Sequence, residues 1–408
     1  MYADIAVIGG GAAGFMAALT AKENGANVII LERKDRVLKK VLATGNGRCN
    51  YTNTGIKITN YYGENPEFAE KALKIFTNKD TMEFFEKLGI IPKFEENGKV
   101  YPLSLQASSV VDSLRFKAES LGIPIYTEFE AEKIKYGKSN FEILASDGHK
   151  KMVASAIILA AGGKAAPELG SNGTGFKIAE NLGHTITETK PALVQLKTDK
   201  NVVKGLQGVK VECKVTVFNS ANKVIGAEEG EFLFTEYGIS GSVIFNLSYL
   251  TAIYNNTIFS VDFFPDYDNE TLVKKLRERR INLDYLNLDN FFNGMLNKKL
   301  GQFLLKASGI EKLSLPVNSL KSEQIQKIAN IAKNYKIKTE GTTGFKNAQV
   351  TVGGIRTSEV NPETMESSKV RKLYFAGEIL DIFGDCGGYN LQWAWASGHL
   401  AGLTLDTV

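Results

Sequence analysis

The fold of this chain is decided by Ile5-Ala6-Val7-Ile8-Gly9-Gly10-Gly11-Ala12-Ala13-Gly14. Four apolar residues run directly into a Gly-x-Gly-x-x-Gly loop, and residues 15–23 continue with a helix-forming pattern. Residues 28–31 are a second apolar run, and it ends at Glu32, 18 positions after Gly14, close to the spacing of about 20 found in dinucleotide-binding sites. Strand, glycine loop, helix, strand and terminal acid together predict a βαβ unit that binds a dinucleotide.

Each residue of this fingerprint has a physical role. Gly9 permits the tight turn after the strand, Gly11 lets backbone N–H groups approach a pyrophosphate, and Gly14 lets the helix pack closely on the strand. The pyrophosphate then lies at the helix N-terminus, where unpaired N–H groups and the helix dipole favour negative charge. Glu32 can accept hydrogen bonds from the hydroxyl groups of an adenosine ribose.

Length and composition predict two or three domains. The chain has 408 residues, more than one ordinary hydrophobic core accommodates, and 43% of them are hydrophobic. The net charge is only +4, but residues 270–338 contain 14 basic and 6 acidic side chains. This basic segment could attract an anionic substrate or a nucleic acid, although a solvated basic surface is the simpler interpretation.

The cysteines bear on the cellular compartment. Cys49, Cys213 and Cys386 provide neither a disulfide framework nor a closely spaced redox pair. We therefore expect a reducing, cytoplasmic location. No apolar run approaches the about 18 residues of a membrane span, and a strand that begins near residue 4 leaves no room for a signal peptide. We expect neither membrane attachment nor a metal site.

A polar loop, Thr44-Gly45-Asn46-Gly47-Arg48-Cys49-Asn50, follows a basic run at residues 33–40. Glycines and amides around an arginine are unsuited to a core and suited to a surface that contacts a cofactor. Arg48 could pair with a phosphate or with a substrate anion. Cys49 could touch the cofactor edge, but a small buried residue is the favoured interpretation because no partner cysteine lies nearby.

The next part of the chain has mixed patterns. Helices are predicted for residues 80–88, ending at Gly89, and for residues 108–120. A hairpin of residues 141–144 and 152–159 leads into Ala160-Ala161-Gly162-Gly163, and such small residues permit close approach of the backbone to a nucleotide. His184, at the end of a short helix, is expected to be exposed to solvent.

The composition changes after Pro191. Strand-like runs at residues 209–218, 224–227 and 231–234 are separated by turn residues and predict a small antiparallel barrel. From Asp268 the pattern becomes helical, and Ser322 is predicted to be the N-cap of a later helix. The nucleotide-binding pattern resumes near Val350, so the intervening region is predicted to be an insertion.

The C-terminal region carries a second pair of motifs, Ala376-Gly377-Glu378-Ile379-Leu380-Asp381 and Gly387-Gly388-Tyr389-Asn390-Leu391-Gln392. An apolar strand that ends in Gly-Glu places a carboxylate beside a sugar-like chain. A Gly-Gly pair that opens a helix directs N–H groups at an electron-rich ligand. Both features fit FAD better than NAD, because a reduced flavin carries negative charge that a helix dipole can stabilise. Trp393 and Trp395, further along this helix, are interpreted as packing residues.

Together these motifs resemble the bacterial NAD(P)/FAD-dependent oxidoreductases of the aminoacetone oxidase family, also described as YhiN/BaiN-like flavoproteins. The resemblance spans nearly the whole chain, and its specific parts are residues 44–50 and 387–394. It implies an α/β fold: a discontinuous Rossmann-like FAD-binding domain with an inserted antiparallel β-barrel and a small helical lobe. The predicted bounds are 1–190 and 346–408 for the FAD-binding domain, 191–265 and 336–345 for the barrel, and 266–335 for the lobe.

The resemblance also implies which residues contact a noncovalently bound FAD. The backbone of Ala131 is expected at the adenine. The other implied contacts are Gly9, Gly11, Gly14, Glu32, Arg33, Gly45, Arg48, Asn50, Gly162, Gly377, Glu378, Gly388, Asn390 and Leu391.

The predicted function is an FAD-dependent oxidoreductase that passes hydride from NAD(P)H through the flavin to a small organic acceptor. The resemblance suggests a conjugated C=C bond (an enone) as that acceptor. Many family members have a histidine after Phe-Thr at the position where Glu236 and Tyr237 stand here, so a histidine acid is missing at that point. Tyr237, Tyr389 and Arg48 are the candidate catalytic residues near the acceptor.

Two alternatives stay open. One is a flavin amine oxidase that returns electrons to oxygen, which the family label suggests but no residue requires. The other is a flavin-containing protein that binds RNA or modifies tRNA through the basic segment. That function would need aromatic side chains on a base-stacking surface, and those of the segment lie mostly at core spacing. We therefore expect no nucleic-acid partner. The sequence decides neither the oligomeric state nor the choice between NADH and NADPH.

Overall fold

The computed structural model describes residues 2–137 and 140–403. The chain divides into two compact units, one made of residues 1–191 and 348–408 and the other of residues 192–347. The second unit is therefore an insertion in the first. None of the helices among the described residues is both long and apolar enough to cross a membrane.

The strands are numbered in chain order. They are β1 (Tyr2–Ile8), β2 (Val28–Leu31), β3 (Thr52–Asn53), β4 (Tyr61–Tyr62), β5 (Pro92–Phe94), β6 (Lys99–Pro102), β7 (Ile125–Tyr126), β8 (Ala131–Tyr136), β9 (Phe141–Ala145), β10 (Lys151–Leu159), β11 (Lys190–Ala192), β12 (Leu196–Thr198), β13 (Lys210–Phe218), β14 (Val224–Phe234), β15 (Gly238–Ser240), β16 (Ile258–Asp262), β17 (Tyr335–Thr342), β18 (Val350–Val352), β19 (Leu373–Phe375) and β20 (Phe383–Gly384).

The α-helices are numbered in the same way. They are α1 (Ala12–Glu23), α2 (Lys39–Ala43), α3 (Glu70–Ile75), α4 (Asn78–Lys87), α5 (Ala107–Ser120), α6 (Thr174–Asn181), α7 (Lys200–Val203), α8 (Ser242–Leu247), α9 (Leu250–Ile253), α10 (Asn269–Asn282), α11 (Lys298–Ala307), α12 (Ser322–Lys333) and α13 (Tyr389–Leu403).

The first unit is built on a seven-stranded sheet in the order β7, β2, β1, β10, β9, β8, with β19 also paired to β10. Strands β7, β2, β1, β10 and β19 are parallel, whereas β9 and β8 continue the sheet in antiparallel pairing. β10 pairs with β9 at residues 151–154 and with β19 at residues 157–159. All residues of β2 are buried, as expected for a parallel strand covered on both faces.

The core of this unit includes the contact between α1 and α13. Two glycines of α13 permit it: a Cβ at Gly398 would lie 2.4 Å from the carbonyl oxygen of Ala13, and one at Gly402 would lie 2.5 Å from that of Ala17. Trp393 and Trp395 are 1% and 0% exposed, which confirms that they are packing residues. Both α1 and α3 pack on α13, and nine of its 15 residues are buried.

The second unit contains a closed barrel with strand order β12, β15, β14, β13, β16, β17. All of its pairings are antiparallel. Alternate residues of β13, namely Cys213, Val215 and Val217, are buried, which is the period-two pattern of a strand with one face toward the core. The inserted antiparallel barrel is thereby confirmed.

Helices accompany the barrel in the second unit. α10 begins after Asp268, whose carboxylate accepts the backbone N–H of Thr271 at 2.7 Å as an N-cap. α12 presents Ile325 and Ile328 to the core. The prediction that Ser322 is the N-cap of α12 is wrong by one residue, because the cap is Lys321, whose N–H donates to the Gln324 side chain at 2.9 Å.

Two other expectations are corrected by the structure. The runs at residues 224–227 and 231–234 form one strand, because Glu228 and Glu229 remain paired with Val215 and Lys214 of β13. His184 is buried instead of solvent-exposed. The division of the inserted unit into a barrel domain and a separate helical lobe, with the bounds given above, stays a prediction.

Candidate functional site

The parallel strands of the first unit bring separated parts of the chain to one edge. β1, β2, β10 and β19 run in the same direction, so their carboxyl ends lie at the same edge of the sheet. Ligands of open α/β sheets bind outside this edge. The predicted cofactor residues that follow these strand ends are Gly9, Glu32, Gly162 and Gly377.

Of the three fingerprint glycines after β1, two are tightly packed against backbone and one faces open space. A Cβ at Gly9, whose φ is +110°, would lie 2.4 Å from the Ala160 carbonyl oxygen, and one at Gly14 would lie 1.9 Å from the Gly9 carbonyl oxygen. A Cβ at Gly11 would meet no atom within 4 Å. Gly9 and Gly14 are therefore needed for backbone packing, and Gly11 borders space that a ligand can enter.

The N-terminus of α1 is suited to an anion. Gly11 is its N-cap and has no side chain that could accept the N–H groups of the first turn, and no acidic residue lies in that turn. A helix end of this kind directs N–H groups and the positive end of the helix dipole toward a phosphate.

Glu32 is held in place by the glycine loop. Its Oε2 atom accepts the N–H of Gly10 at 2.8 Å, and its Oε1 atom accepts the N–H of Lys34 at 2.7 Å. The residue is 8% exposed, and burial raises its pKa although both backbone hydrogen bonds act in the opposite direction. A carboxylate can accept about four hydrogen bonds, so acceptor capacity remains for ribose hydroxyl groups.

Arg33 follows Glu32 directly in the chain, and Ala131, although distant in sequence, begins a strand that lies near Glu32. The carbonyl of Glu32 accepts the N–H of Phe129 at 2.9 Å, which places the start of β8 beside the end of β2. The Arg33 guanidinium pairs with Glu130 at 3.2 Å and donates to the Gly170 carbonyl at 3.2 Å. The structure thus brings these two predicted contacts to the Glu32 end of the site.

Gly377 and Glu378 follow β19 at the same edge. A Cβ at Gly377 would lie 2.7 Å from the Cβ of Ala13, so this turn packs on the first turn of α1. The Glu378 carboxylate receives the Lys40 ammonium at 2.7 Å and the N–H of Thr351 at 2.9 Å. Lys40 and Thr351 were not among the predicted site residues. The only sequence signal for Lys40 was its place in the basic run after Glu32.

Gly162 and Gly163 link this region to β18. Gly162 has φ +70°, and a Cβ at Gly163 would lie 2.3 Å from the Thr351 hydroxyl and 2.8 Å from Glu378 Oε1. The same hydroxyl accepts the N–H groups of Lys164 and Ala165 at 2.8 and 3.1 Å. The loop after β10 is therefore tied to the loop after β19 through one threonine.

The second glycine-rich loop precedes α13. A Cβ at Gly388, whose φ is +98°, would lie 2.3 Å from the Thr52 carbonyl oxygen, so the close approach here is to β3. The Asn390 amide is used within the loop, because it accepts the N–H of Gly384 at 2.8 Å and donates to the Gly384 and Asp385 carbonyls. Leu391, partly buried, lies in the first turn of the helix.

The loop after α2 meets this helix start. Gly45 has φ +57°, and a Cβ there would lie 2.9 Å from the backbone nitrogen of Asn50. Asn50 is 8% exposed and accepts the Val100 N–H at 3.2 Å. Its Oδ1 atom would lie 3.0 Å from a Cβ at Gly388. The structure therefore places Gly45, Asn50 and Gly388 together.

Arg48 and Cys49 differ in their surroundings. The Arg48 guanidinium contacts Glu95 at 3.3 Å and lies over the Tyr101 ring at 4.5 Å, and its side chain is 39% exposed. Cys49 is fully buried, and burial raises the pKa of its thiol to about 12. The interpretation of Cys49 as a small buried residue is confirmed.

The candidate catalytic tyrosines fall in different units. Tyr389 opens α13 in the first unit, and its carbonyl accepts the Tyr61 hydroxyl at 3.1 Å. Tyr237 belongs to the inserted unit, where its carbonyl accepts the N–H of Thr198 at 3.2 Å. Their roles, and that of Arg48, stay predictions.

Another polar group, missed by the sequence reasoning, lies just before α13. The Asp385 carboxylate accepts the Tyr62 hydroxyl at 3.0 Å and the Asn60 amide at 3.1 Å. The sequence signal was present in the run Gly384-Asp385-Cys386, but a connection to residues more than 300 positions earlier is not visible without the pairing of β4 with β20.

Two histidines lie in packed environments. The His184 Nε2 atom is 2.8 Å from the Ser367 hydroxyl, and its Nδ1 atom is 3.3 Å from Glu359. Burial lowers the pKa of His184. The His399 ring stacks on Phe76 with ring centroids 4.5 Å apart.

The residues at the strand ends fit a dinucleotide. An uncapped helix N-terminus beside open space at Gly11, and a buried carboxylate at Glu32, are the two features that a diphosphate and a ribose require. No cluster of side chains able to hold a metal ion occurs among residues 2–137 and 140–403.

Comparison with known proteins gives a family match over nearly the whole chain. The family described as "HI0933-like protein Rossmann domain" matches residues 3–404. A "3-dehydro-bile acid delta(4,6)-reductase" from Clostridium scindens is 41% identical over 404 residues, which cover 98% of this chain and 98% of that protein. A "Ribosomal RNA dihydrouridine synthase" from Escherichia coli is 29% identical over 394 residues, covering 97% of this chain and 96% of that protein.

A solved structure of a 3-ketosteroid-delta4-(5alpha)-dehydrogenase from Rhodococcus jostii RHA1 aligns with 99% of this chain and 96% of its own. The sequence identity is 15% and the TM-score is 0.49. A likeness at this level has no bearing on the activity.

Proposed function

Because the chain belongs to the family described as HI0933-like protein Rossmann domain, we propose that it is an FAD-dependent oxidoreductase that reduces a C=C bond conjugated with a carbonyl group. The observation that carries this proposal is the meeting of Gly9, Glu32, Gly162 and Gly377 at the carboxyl edge of the parallel strands, with open space at Gly11. The 41% identity to a reductase over 98% of both chains supports the reaction type.

The residues that would hold FAD have distinct tasks. The N–H groups at the start of α1 would bind the diphosphate, and Glu32 would accept hydrogen bonds from the adenosine ribose. Glu378, fixed by Lys40 and by the Thr351 N–H, would face the ribityl chain. Bound FAD supplies the redox chemistry, taking up hydride from NAD(P)H and delivering it to the acceptor.

The backbone of α13 has a further task in this proposal. Its first turn presents N–H groups next to Gly388, and a helix N-terminus stabilises negative charge placed against it. The Asn390 side chain fixes the loop before the helix, so the N–H groups are held in position before a ligand binds. Arg48, Tyr389 and Tyr237 stay candidates for contacts with the acceptor.

The names of the two relatives share one chemistry. A 3-dehydro bile acid with C=C bonds at positions 4 and 6 is a conjugated ketone, and dihydrouridine forms when the C=C bond next to the uracil carbonyl is reduced. Each reaction adds hydride to one carbon and a proton to the other. We propose this bond type as the substrate class, with a small-molecule enone as the first candidate because the identity to the bile-acid reductase is higher.

A second candidate is the reduction of a base in ribosomal RNA. It is favoured by the 29% identity to the dihydrouridine synthase and by the charge of residues 270–338, which contain 14 basic and 6 acidic side chains. Two arginines of this segment are engaged with backbone carbonyls: Arg279 donates to Phe291 and Arg280 to Leu320. This engagement weighs against a role in phosphate binding, and we keep the expectation of no nucleic-acid partner.

A cytoplasmic location belongs to the same proposal. It is supported by Cys49, Cys213 and Cys386, which are free thiols, as is usual in reducing compartments.

The test begins with the purified protein and its cofactor. We expect a yellow protein whose bound flavin is released as FAD by denaturation, is reduced anaerobically by NADH or NADPH, and is reoxidised by a 3-oxo-4-ene steroid. A protein that neither contains nor takes up FAD would refute the cofactor. Reduction by amines instead of NAD(P)H would favour the amine oxidase.

The RNA candidate is tested in parallel. Ribosomal RNA lacking dihydrouridine is incubated with the protein and NAD(P)H, and the nucleosides are analysed for dihydrouridine. We expect none. Formation of dihydrouridine, with no turnover of the steroid enone, would make the RNA reaction the function of this chain.

A further inference from the structure

The ion pair between Lys40 and Glu378 lies among the residues that meet at the carboxyl edge of the parallel strands. The Lys40 ammonium is 2.7 Å from Glu378 Oε2, and Glu378 Oε1 accepts the N–H of Thr351 at 2.9 Å. The two side chains are only partly buried, with 26% of Lys40 and 19% of Glu378 exposed. The pair is therefore fixed in position and still open to solvent on one side.

Both partners are anchored to the segment that is proposed to bind the diphosphate. The lysine belongs to α2, and Leu38, the N-cap of this helix, donates its backbone N–H to the Gly10 carbonyl at 2.8 Å. Glu378 directly follows Gly377, where a Cβ would lie 2.7 Å from the Cβ of Ala13. Both anchor points belong to the glycine fingerprint, so the ion pair lies next to the proposed diphosphate site.

A carboxylate is an unfavourable neighbour for a diphosphate unless its charge is neutralised. The N-terminus of a helix provides about half an elementary positive charge, whereas a diphosphate brings about two negative charges. A full negative charge on Glu378 would therefore offset the attraction that the start of α1 provides.

The same carboxylate is nevertheless useful as an acceptor. Ribityl hydroxyl groups need hydrogen-bond acceptors, and a carboxylate can accept about four hydrogen bonds. Lys40 and Thr351 occupy two of these positions on Glu378, so acceptor capacity remains. Pairing with an ammonium group keeps this capacity and cancels the net charge.

We propose that Lys40 is a positioning residue for FAD, which neutralises Glu378 so that its carboxylate can accept ribityl hydroxyl groups next to the diphosphate. This inference rests on the proposed function, in which the chain binds FAD. It assigns to Lys40 an effect that acts through Glu378 and not through a direct contact with the cofactor.

The test is a double-mutant cycle on FAD affinity. The full chain, freed of its flavin, is titrated with FAD, and the dissociation constant is measured for each variant. Lys40→Met removes the ammonium group and keeps an unbranched side chain. We expect FAD binding to weaken by about 10- to 100-fold, the range for loss of a hydrogen bond to a charged group.

The second arm of the cycle removes the charge of the carboxylate. Glu378→Gln keeps an oxygen atom that can accept the Thr351 N–H and a hydroxyl group. In this background, Lys40→Met should change FAD affinity by less than about threefold, because no charge is left to neutralise. Equal losses in the two backgrounds would show that Lys40 acts on the cofactor directly, and this result would overturn the proposal.

Lys39→Met is the matched control. Lys39 is the neighbouring residue of α2, its side chain is 19% exposed, and it pairs with Asp35 instead of a candidate site residue. The change removes the same charge from the same helix, so FAD affinity should change by less than about twofold. A loss as large as that of Lys40→Met would mean that only the total charge of α2 matters, contrary to the proposal.

Urea unfolding of the flavin-free variants separates cofactor binding from folding. A pair that only stabilises the fold would lower the stability of Lys40→Met and leave the FAD affinity of the folded protein unchanged, which would contradict the proposal. Should Lys40→Met fail to fold, Lys40→Gln takes its place in the same cycle, since it removes the charge and keeps a polar donor.

The outcomes distinguish this inference from the function on which it rests. If the wild-type protein neither contains nor takes up FAD, the proposed function is wrong and the inference falls with it. If the wild type binds FAD and Lys40→Met binds it equally tightly, only the inference is overturned. A large loss in Lys40→Met that Glu378→Gln suppresses is the result that supports it.

Discussion

Two glycine-rich loops lead into the two helices that pack on each other in the first unit, residues 9–14 before α1 and residues 384–388 before α13. In the first loop, Gly14 is packed against the backbone and Gly11 borders open space. In the second, Gly388 is packed against the Thr52 carbonyl, and a Cβ at Gly387 would meet no atom closer than 3.5 Å. Similar sequence patterns therefore combine glycines packed against backbone, Gly14 and Gly388, with glycines that are not, and of these four Gly11 is the one that borders open space.

The largest effect is expected from Gly14→Ala. The added Cβ would lie 1.9 Å from the Gly9 carbonyl oxygen, so α1 must move away from β1. We expect a loss of about 4 kcal/mol or more in the free energy of unfolding, at the upper end for single substitutions. Urea unfolding of the cofactor-free protein measures it, and a loss below about 1 kcal/mol would contradict the packing role.

Glu32→Ala should have the next largest effect. It removes the acceptor of the Gly10 and Lys34 N–H groups, at about 1.5–3 kcal/mol for hydrogen bonds to a charged group. FAD retention should fall as well. Unchanged FAD affinity in a titration would exclude the ribose contact.

The pH dependence of the same variant sharpens this prediction. Burial raises the pKa of Glu32, so the folded protein binds the proton more tightly than the unfolded chain. The part of the stability that depends on protonation of Glu32 is then present below its ordinary pKa of 4.5 and is lost as the pH rises through the raised value, whereas the two backbone hydrogen bonds remain. Unfolding curves from pH 4 upward should decline less steeply for Glu32→Ala, and parallel curves would contradict the sign.

Gly388→Ala tests the second loop. Its φ of +98° disfavours any residue with a Cβ, and that atom would lie 2.3 Å from the Thr52 carbonyl oxygen. We expect a loss of about 1–3 kcal/mol in the free energy of unfolding. Gly387→Ala is the matched control, with φ +130° and no backbone contact closer than 3.5 Å, so it should cost less. Equal losses would show that the contact with β3 is unimportant.

The smallest effect on folding is expected from Gly11→Ala. Its φ is −89°, and the Cβ would meet no atom within 4 Å, so the free energy of unfolding should change by less than about 0.5 kcal/mol. The same methyl group lies where the diphosphate is proposed to bind, so FAD affinity should fall. A variant that is stable and binds FAD as tightly as the wild type would move the diphosphate away from this loop.

Much of the fold follows from local patterns. Apolar runs separated by turn residues identify β1, β2, β10 and the barrel strands, because buried strands need continuous or alternating apolar residues. The join within β14 was missed, since Glu228 and Glu229 resemble a turn until β13 pairs with them. His184 was misjudged for a similar reason: Ser367 and Glu359, which surround it, are distant in sequence.

The sequence by itself determined the βαβ fingerprint, the insertion after Pro191 and the second motif around Gly377, because each depends on residues near one another in the chain. Only the tertiary structure decided which glycines pack on backbone, that Lys40 and Thr351 hold Glu378, and that Tyr62 donates to Asp385. Apart from the packing of Gly14 on Gly9, these contacts join segments more than 20 positions apart, in several cases more than 300. The physical reason is that parallel strands bring their carboxyl ends to one edge whatever their separation along the chain, and local patterns do not reveal which loops meet there.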